Sequence, residues 1–155
     1  AMSGDPHPAA IFFDFLAAFP SVSHHFLWCV LETAGMPKQF VGAIKKLYQV
    51  NQHLIKFGGQ IFPGPLVLSG VRQGCPLTMI LFAMCLEPLL RHLSLLLHSD
   101  DVLGAFADDI GVVARDLRII LPGLFSTFQT FASISNLRLG FLAPSDAPPS
   151  LPRLS

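Results

Sequence analysis

Apolar residues along this chain alternate between short runs closed by turn residues and longer stretches with helical periodicity, and the two patterns call for different elements. Ile11 to Phe13 is a short apolar run ending at Asp14, which suits a buried strand that delivers a carboxylate at its C-terminal end. Ser23 suits the cap of a helix running to about Ala34, with Gly35 as its left-handed stop, and Pro37 opens a second helix to about Gln49. His53 to Phe57 and Gln60 to Phe62 flank Gly58-Gly59, a hairpin signal because both glycines tolerate positive φ. Pro76 is placed for the first turn of a long apolar helix to about Leu97, bent at Pro88. Leu103 to Ala107 and Ile110 to Val113 flank Asp108-Asp109, which predicts a second hairpin with two carboxylates at its tip. A last helix is expected from about Pro122 to Ile134, closed by Asn136, with Leu137 to Phe141 returning as a strand.

Short hairpin connections require antiparallel pairing, so the expected class is α+β, an antiparallel sheet with helices packed on one face. The body of the domain spans residues 11–142. Residues 1–10 mix Gly, Pro and small side chains and read as a disordered N-terminal end, and residues 143–155 hold four prolines among Ser and Ala and read as a disordered tail.

Composition sharpens this picture in three places. The 155 residues are 52% hydrophobic, ample for one core, while the charged fraction is 13% and the mean hydropathy +0.57, which raises the question of a membrane span. The best candidate, Leu77 to Leu97, carries Glu87, Pro88, Arg91 and His92 in its middle, so a core helix is expected and no membrane partner. No basic segment followed by an apolar run opens the chain, so an intracellular protein, not a secreted one, is expected. The formal net charge is +0, with ten Lys and Arg against ten Asp and Glu, so nucleic-acid binding by the chain alone should be weak. Cys29, Cys75 and Cys85 form no metal-ligand spacing and read as buried reduced thiols. His24 and His25 at a helix start read as surface or capping residues, and Lys45 and Lys46 as a solvated face.

Asp108-Asp109 on its own is an ordinary turn pair. Set between apolar strands and joined by Asp14, it becomes a candidate cluster of three carboxylates. Two unit charges about 4 Å apart repel by roughly 4 kcal/mol at an effective dielectric near 20, a cost that a divalent cation removes. Oxygen-only ligands favour Mg²⁺ over Zn²⁺.

Four segments then resemble, in order, the palm motifs of reverse transcriptases of the non-LTR retrotransposon type. Phe106-Ala107-Asp108-Asp109 resembles the hairpin motif [YF]-x-D-D, and Asp14 followed by Ala18-Phe19 resembles the strand-end aspartate motif. Gly70-Val71-Arg72-Gln73-Gly74-Cys75-Pro76-Leu77, followed by Leu81-Phe82, matches the segment G-x-R-Q-G-C-P-L, and Leu137-Arg138-Leu139 resembles a Gly-Leu-Lys-Leu segment. The resemblance implies a polymerase palm that carries out RNA-directed DNA synthesis on an RNA template and DNA primer with deoxynucleoside triphosphates. It implies that Asp14 and Asp108 bridge two Mg²⁺ ions, with Mn²⁺ as a possible substitute, that Asp109 assists, and that the Phe15 carbonyl completes one site. Phe19 would exclude a 2′-hydroxyl by bulk, Gln73 and Gly74 would line the incoming nucleotide and template, and Arg72 would contact phosphate. Taken singly, Phe19 and Phe106 read as core aromatics, Gly70 and Gly74 as loop shapers, and Arg72 as a solvated charge.

The chain departs from the pattern at Pro20, where an Asp is usual, at Thr78-Met79 in place of Ser-Pro, at Gly140 in place of Asn, and at Ala143 in place of a Lys that protonates pyrophosphate. Fingers and thumb regions are not recognisable either, so the expected product is truncated and inactive alone. The alternative is a non-catalytic retrotransposon remnant that acts at most as an interaction module; a cyclase-like palm gives no reason for the G-x-R-Q-G-C-P-L segment.

Overall fold

The computed structural model describes residues 7–49, 52–72 and 74–140. They form two antiparallel sheets and five helices: β1 (Ala9–Phe13), α1 (Ala18–Ser21), α2 (His24–Thr33), α3 (Lys38–Tyr48), β2 (Gln52–Phe57), β3 (Gln60–Leu66), α4 (Pro76–Ser94), β4 (Val102–Phe106), β5 (Asp109–Ala114) and α5 (Leu117–Ser135). The main sheet has the order β1-β5-β4, and β2-β3 stands apart as a two-stranded ribbon. This is the α+β arrangement expected from the hairpin signals.

The period-two alternation of β5 makes one face of the main sheet a core face: Ile110, Val112 and Ala114 are buried. Phe13 of β1 joins them and stacks on Phe128 of α5 at 4.4 Å between ring centroids. α5 offers Ile120, Leu124, Phe128 and Phe131 along one stripe, and α4 offers Leu81, Phe82, Cys85, Leu86, Leu89 and Leu93. Each fully buried Leu, Ile or Phe among them stabilises the fold by about 1.5–3 kcal/mol relative to an exposed position. By length and composition both α4 and α5 could cross a bilayer, but each turns its buried stripe onto the sheet and the neighbouring helices.

Local signals place the helix ends. Ser23 caps α2, its Oγ accepting from Phe26 N at 3.3 Å, and Gly35 follows with φ 74°. Asn136 ends α5 at φ 65° and donates through Nδ2 to Ser21 O at 2.9 Å.

Several expectations are corrected. β1 begins at Ala9, so Ala9 and Ala10, expected in the frayed end, pair with Ala114 and Val113; residues 1–6 lie outside the described residues. α1 was not expected; it is a single turn entered through Ala17 at φ 47°. α4 stops at Ser94 rather than near Leu97. α5 starts five residues earlier than Pro122, because Asp116 caps it by accepting from Arg118 N at 3.2 Å; Pro122 therefore lies inside the helix. The return strand reduces to one bridge between Phe15 and Leu139, and Phe141 with the Pro-rich tail falls outside the described residues. Of the cysteines only Cys85 is fully buried, which pushes its thiol up to about 12; Cys75 is half-buried. Cys29 is exposed, because α2 buries Phe26, Leu27 and Leu31 on its other side.

Candidate active site

The acidic end of the main sheet follows from its register. Phe13 pairs with Ile110, and Phe106 pairs with Asp109, so the turn of the β4–β5 hairpin consists of Ala107 and Asp108. Asp14 directly follows Phe13 and Asp109 directly precedes Ile110, so the two carboxylates flank the last β1–β5 pair at the same end of the sheet. Side chains alternate across a sheet, so Asp14 and Asp109 share the open face while Phe13 and Ile110 face the core. Asp14 is also where the chain leaves β5: its carbonyl accepts from Gly140 N at 2.9 Å, and Leu16 N donates to Arg138 O at 2.8 Å. The Leu137-Arg138-Leu139 segment thus fixes the backbone on either side of the buried Phe15.

On the same face Phe12 lays its ring over Gly111, where an added Cβ would stand 3.1 Å from Phe12 Cε1. Phe106 is 83% exposed, so it is no core aromatic; it stands beside Asp109 at the edge of the carboxylate end. Ala107 holds φ 53°, in the left-handed region, and so turns Asp108 out of the β4 ladder.

Among the described residues no ion pair reaches Asp14, Asp108 or Asp109. Nor are any three His, Cys, Asp or Glu side chains among them gathered closely enough to hold a metal ion. The expected cluster of three carboxylates is not among such groups. Their chemistry nonetheless suits a hard divalent ion, since every donor offered is oxygen.

The second half of the site is the loop from Ser69 to Cys75. Gly70 holds φ 89°, and a Cβ there would lie 2.6 Å from Pro20 O and 2.7 Å from Pro20 Cα. No other residue type fits this approach. Gly70 N donates to Val22 O at 2.7 Å, Val71 N to Phe19 O at 2.8 Å, and Ser69 Oγ to Pro20 O at 3.2 Å. The loop is thereby laced to α1, which carries Phe19 half-buried against Phe82, 4.5 Å between ring centroids. Pro20, the departure from the acidic residue usual there, serves as the surface on which Gly70 packs. Arg72 is exposed, Gly74 holds φ 84° with open space around its Cα, and Gln73 lies outside the described residues.

The contacts of Thr78 and His24 to this loop were not legible beforehand. Thr78 is buried, and its Oγ1 donates to Arg72 O, so the Thr that departs from the usual Ser keeps the hydroxyl that closes the loop onto α4. His24 is half-buried rather than a surface or capping residue, with Nε2 2.8 Å from Gly70 O. A polar residue one place after a helix cap was the only signal for it.

The match of these segments extends over the whole body of the chain. The chain belongs to the reverse transcriptase (RNA-dependent DNA polymerase) family, whose sequence profile matches residues 5–140. Its relatives include the transposon TX1 uncharacterized 149 kDa protein of Xenopus laevis, 35% identical over 133 residues, which cover 80% of this chain and 10% of that protein. They also include the retrovirus-related Pol polyprotein from type-2 retrotransposable element R2DM of Drosophila melanogaster, 31% identical over 131 residues, 81% of this chain and 12% of that protein. The chain thus spans about a tenth of the length of the curated relatives it matches. Both belong to non-LTR elements, the type the motifs resemble, and the family as a whole works with divalent metals on nucleic-acid templates and nucleotides.

Proposed function

We propose that the chain is the palm of an RNA-directed DNA polymerase, in which Asp14 and Asp108 hold a pair of Mg²⁺ ions, or Mn²⁺ in their place, and Asp109 and the Phe15 carbonyl assist. The observation that carries this reading is the register that sets Asp14 and Asp109 at the same end of the main sheet with Asp108 in the adjoining turn, beside a loop packed on the helix of Phe19. When bound, the metal pair supplies activation of the primer 3′-hydroxyl and charge neutralisation at the triphosphate. The chain's own residues supply the rest. Phe19, braced on Phe82, blocks the space a 2′-hydroxyl would need; Arg72 binds phosphate; Gln73 and Gly74 let the incoming nucleotide and template approach the backbone. The partners are an RNA template, a DNA primer and deoxynucleoside triphosphates.

Turnover by these residues alone is expected to be negligible. Near-attack positioning of hydroxyl and α-phosphate contributes roughly 7–11 kcal/mol to such a reaction. A chain with ten Lys and Arg against ten Asp and Glu has little to hold a primer-template with. Ala143, where the family pattern carries a Lys that protonates pyrophosphate, favours one second reading, a non-catalytic remnant that serves as an interaction module.

Nucleotide binding separates the two. The polymerase reading expects Mg²⁺-dependent binding of a deoxynucleoside triphosphate in preference to its ribonucleotide, lost in Asp108→Asn and relaxed in Phe19→Ala, with primer extension by the chain alone no higher than in Asp108→Asn. Binding that ignores both the metal and the aspartates would leave the remnant reading standing.

A further inference from the structure

We infer that His24 and Tyr48 are positioning residues that set the loop at Arg72, so that the α2–α3 helix pair tunes the nucleotide site without touching it. This rests on the reading of the Arg72–Gly74 loop as nucleotide-binding.

Two hydrogen bonds carry the inference. Arg72 N donates to Tyr48 Oη at 3.3 Å, and His24 Nε2 lies 2.8 Å from Gly70 O. A carbonyl oxygen can only accept, so His24 carries its proton on Nε2 and donates. The two bonds therefore grip the loop with opposite polarity, one through a carbonyl and one through an amide two residues later. Both side chains belong to one aromatic cluster: His24 and Tyr48 are 5.3 Å apart between ring centroids, His24 and Trp28 5.7 Å, and Trp28 and Tyr48 6.1 Å. Tyr48 is buried, so its hydroxyl is held by packing and presents a fixed acceptor to the loop.

This grip differs from the contacts to α1. Those fix Gly70 and Val71 against Pro20 and Phe19, whereas Tyr48 and Thr78 bond the next residue, the first that faces the proposed nucleotide. A cavity of about 420 Å³ lies under the same cluster, lined by His24, Trp28, Lys45, Tyr48 and Leu68 among others.

The chain has one tryptophan, Trp28, and it reports on the cluster directly. The test combines amide exchange of the full chain with titration of Mg²⁺ and a deoxynucleoside triphosphate, followed by Trp28 fluorescence. In Tyr48→Phe, which keeps the ring and removes the hydroxyl, exchange at Arg72 should rise about threefold to tenfold, the worth of one net hydrogen bond, while core amides of α4 and α5 keep their protection. Nucleotide affinity should weaken by a similar factor, and the fluorescence response to nucleotide should shrink. His24→Leu should act likewise, and His24→Gln, which restores an N–H donor, should recover most of the loss. Unchanged exchange at Arg72 in Tyr48→Phe would overturn the inference, as would faster exchange with unaltered nucleotide affinity. If the parent chain binds no nucleotide, the proposed function fails and the positioning role fails with it; faster exchange at Arg72 would then show only that Tyr48 holds the loop.

Discussion

The two hairpins of this molecule are built alike and end differently. β2–β3 turns through Gly58-Gly59 and β4–β5 through Ala107-Asp108, each with two residues between the last paired positions. Yet β5 buries Ile110 and Val112 at 0% and 1% exposure, whereas Leu54 and Phe57 of β2 and Ile61 of β3 remain 69%, 78% and 65% exposed. Turn chemistry makes a hairpin; what lies behind it decides what the hairpin is for. Gly58 and Gly59 take φ 56° and 78° without steric cost, so the ribbon needs no support to close. Ala107 at φ 53° costs roughly 1–2 kcal/mol, and only a strand anchored in the core can hold it there. That cost is borne at the turn that carries Asp108.

Removing the anchor should have the largest effect. Ile110→Ala is expected to destabilise the domain by about 2–5 kcal/mol, since it opens a cavity in a site with no solvent access. The matching change in the ribbon, Ile61→Ala, should stay within about 0.5 kcal/mol. Urea denaturation of the two variants measures both, and equal losses would erase the contrast between the hairpins.

The turns themselves come next. Ala107→Gly should stabilise the fold by about 1 kcal/mol by relieving the left-handed Ala, while Gly58→Ala should destabilise by a similar amount. Thermal melts decide the sign, and a loss of stability in Ala107→Gly would show that the turn is not under strain.

The smallest effect concerns a clamp at the base of β4–β5. Asp101 accepts from His98 N and Arg115 N, each at 2.9 Å, and so ties the entry of β4 to the exit of β5. The bond from His98 N, then that from Arg115 N, holds its carboxyl below the usual carboxylate range. A depressed folded-state pKa gives stability that is fully present above the ordinary Asp value of about 3.9 and is lost as pH falls through the lower folded value. Asp101→Asn should therefore melt below the parent at pH 7, with the gap closing on acidification below pH about 4. A gap that stays constant with pH would assign the clamp no ionic part.

Much of this was legible in the sequence, for reasons that differ between elements. The Gly58-Gly59 hairpin, the Ser23 cap and the Asn136 stop are local, and local chemistry decided them. Asp116 and Pro122 compete as starts of α5; a capping carboxylate six residues before that proline outweighed the proline's preference for a first turn. At the candidate site, Asp14, Asp108, Phe19 and the Gly70–Gly74 loop were found by motif, because motif residues carry chemistry in their type. His24, Tyr48 and Thr78 were missed because what they do lies in contacts beyond their own helices: they reach Gly70 and Arg72 across 46, 24 and 6 residues of chain.

The divalent cation proposed for Asp14 and Asp108 is the centre of the account, and Mn²⁺ binding followed by electron paramagnetic resonance addresses it directly. The parent chain should take up Mn²⁺ saturably, Mg²⁺ should compete for the same positions, and Asp14→Asn combined with Asp108→Asn should abolish uptake while the fold, read by circular dichroism, is retained. No saturable uptake by the folded parent, or equal uptake by the double variant, would contradict the assignment of Asp14 and Asp108 as the metal-holding residues of a polymerase palm.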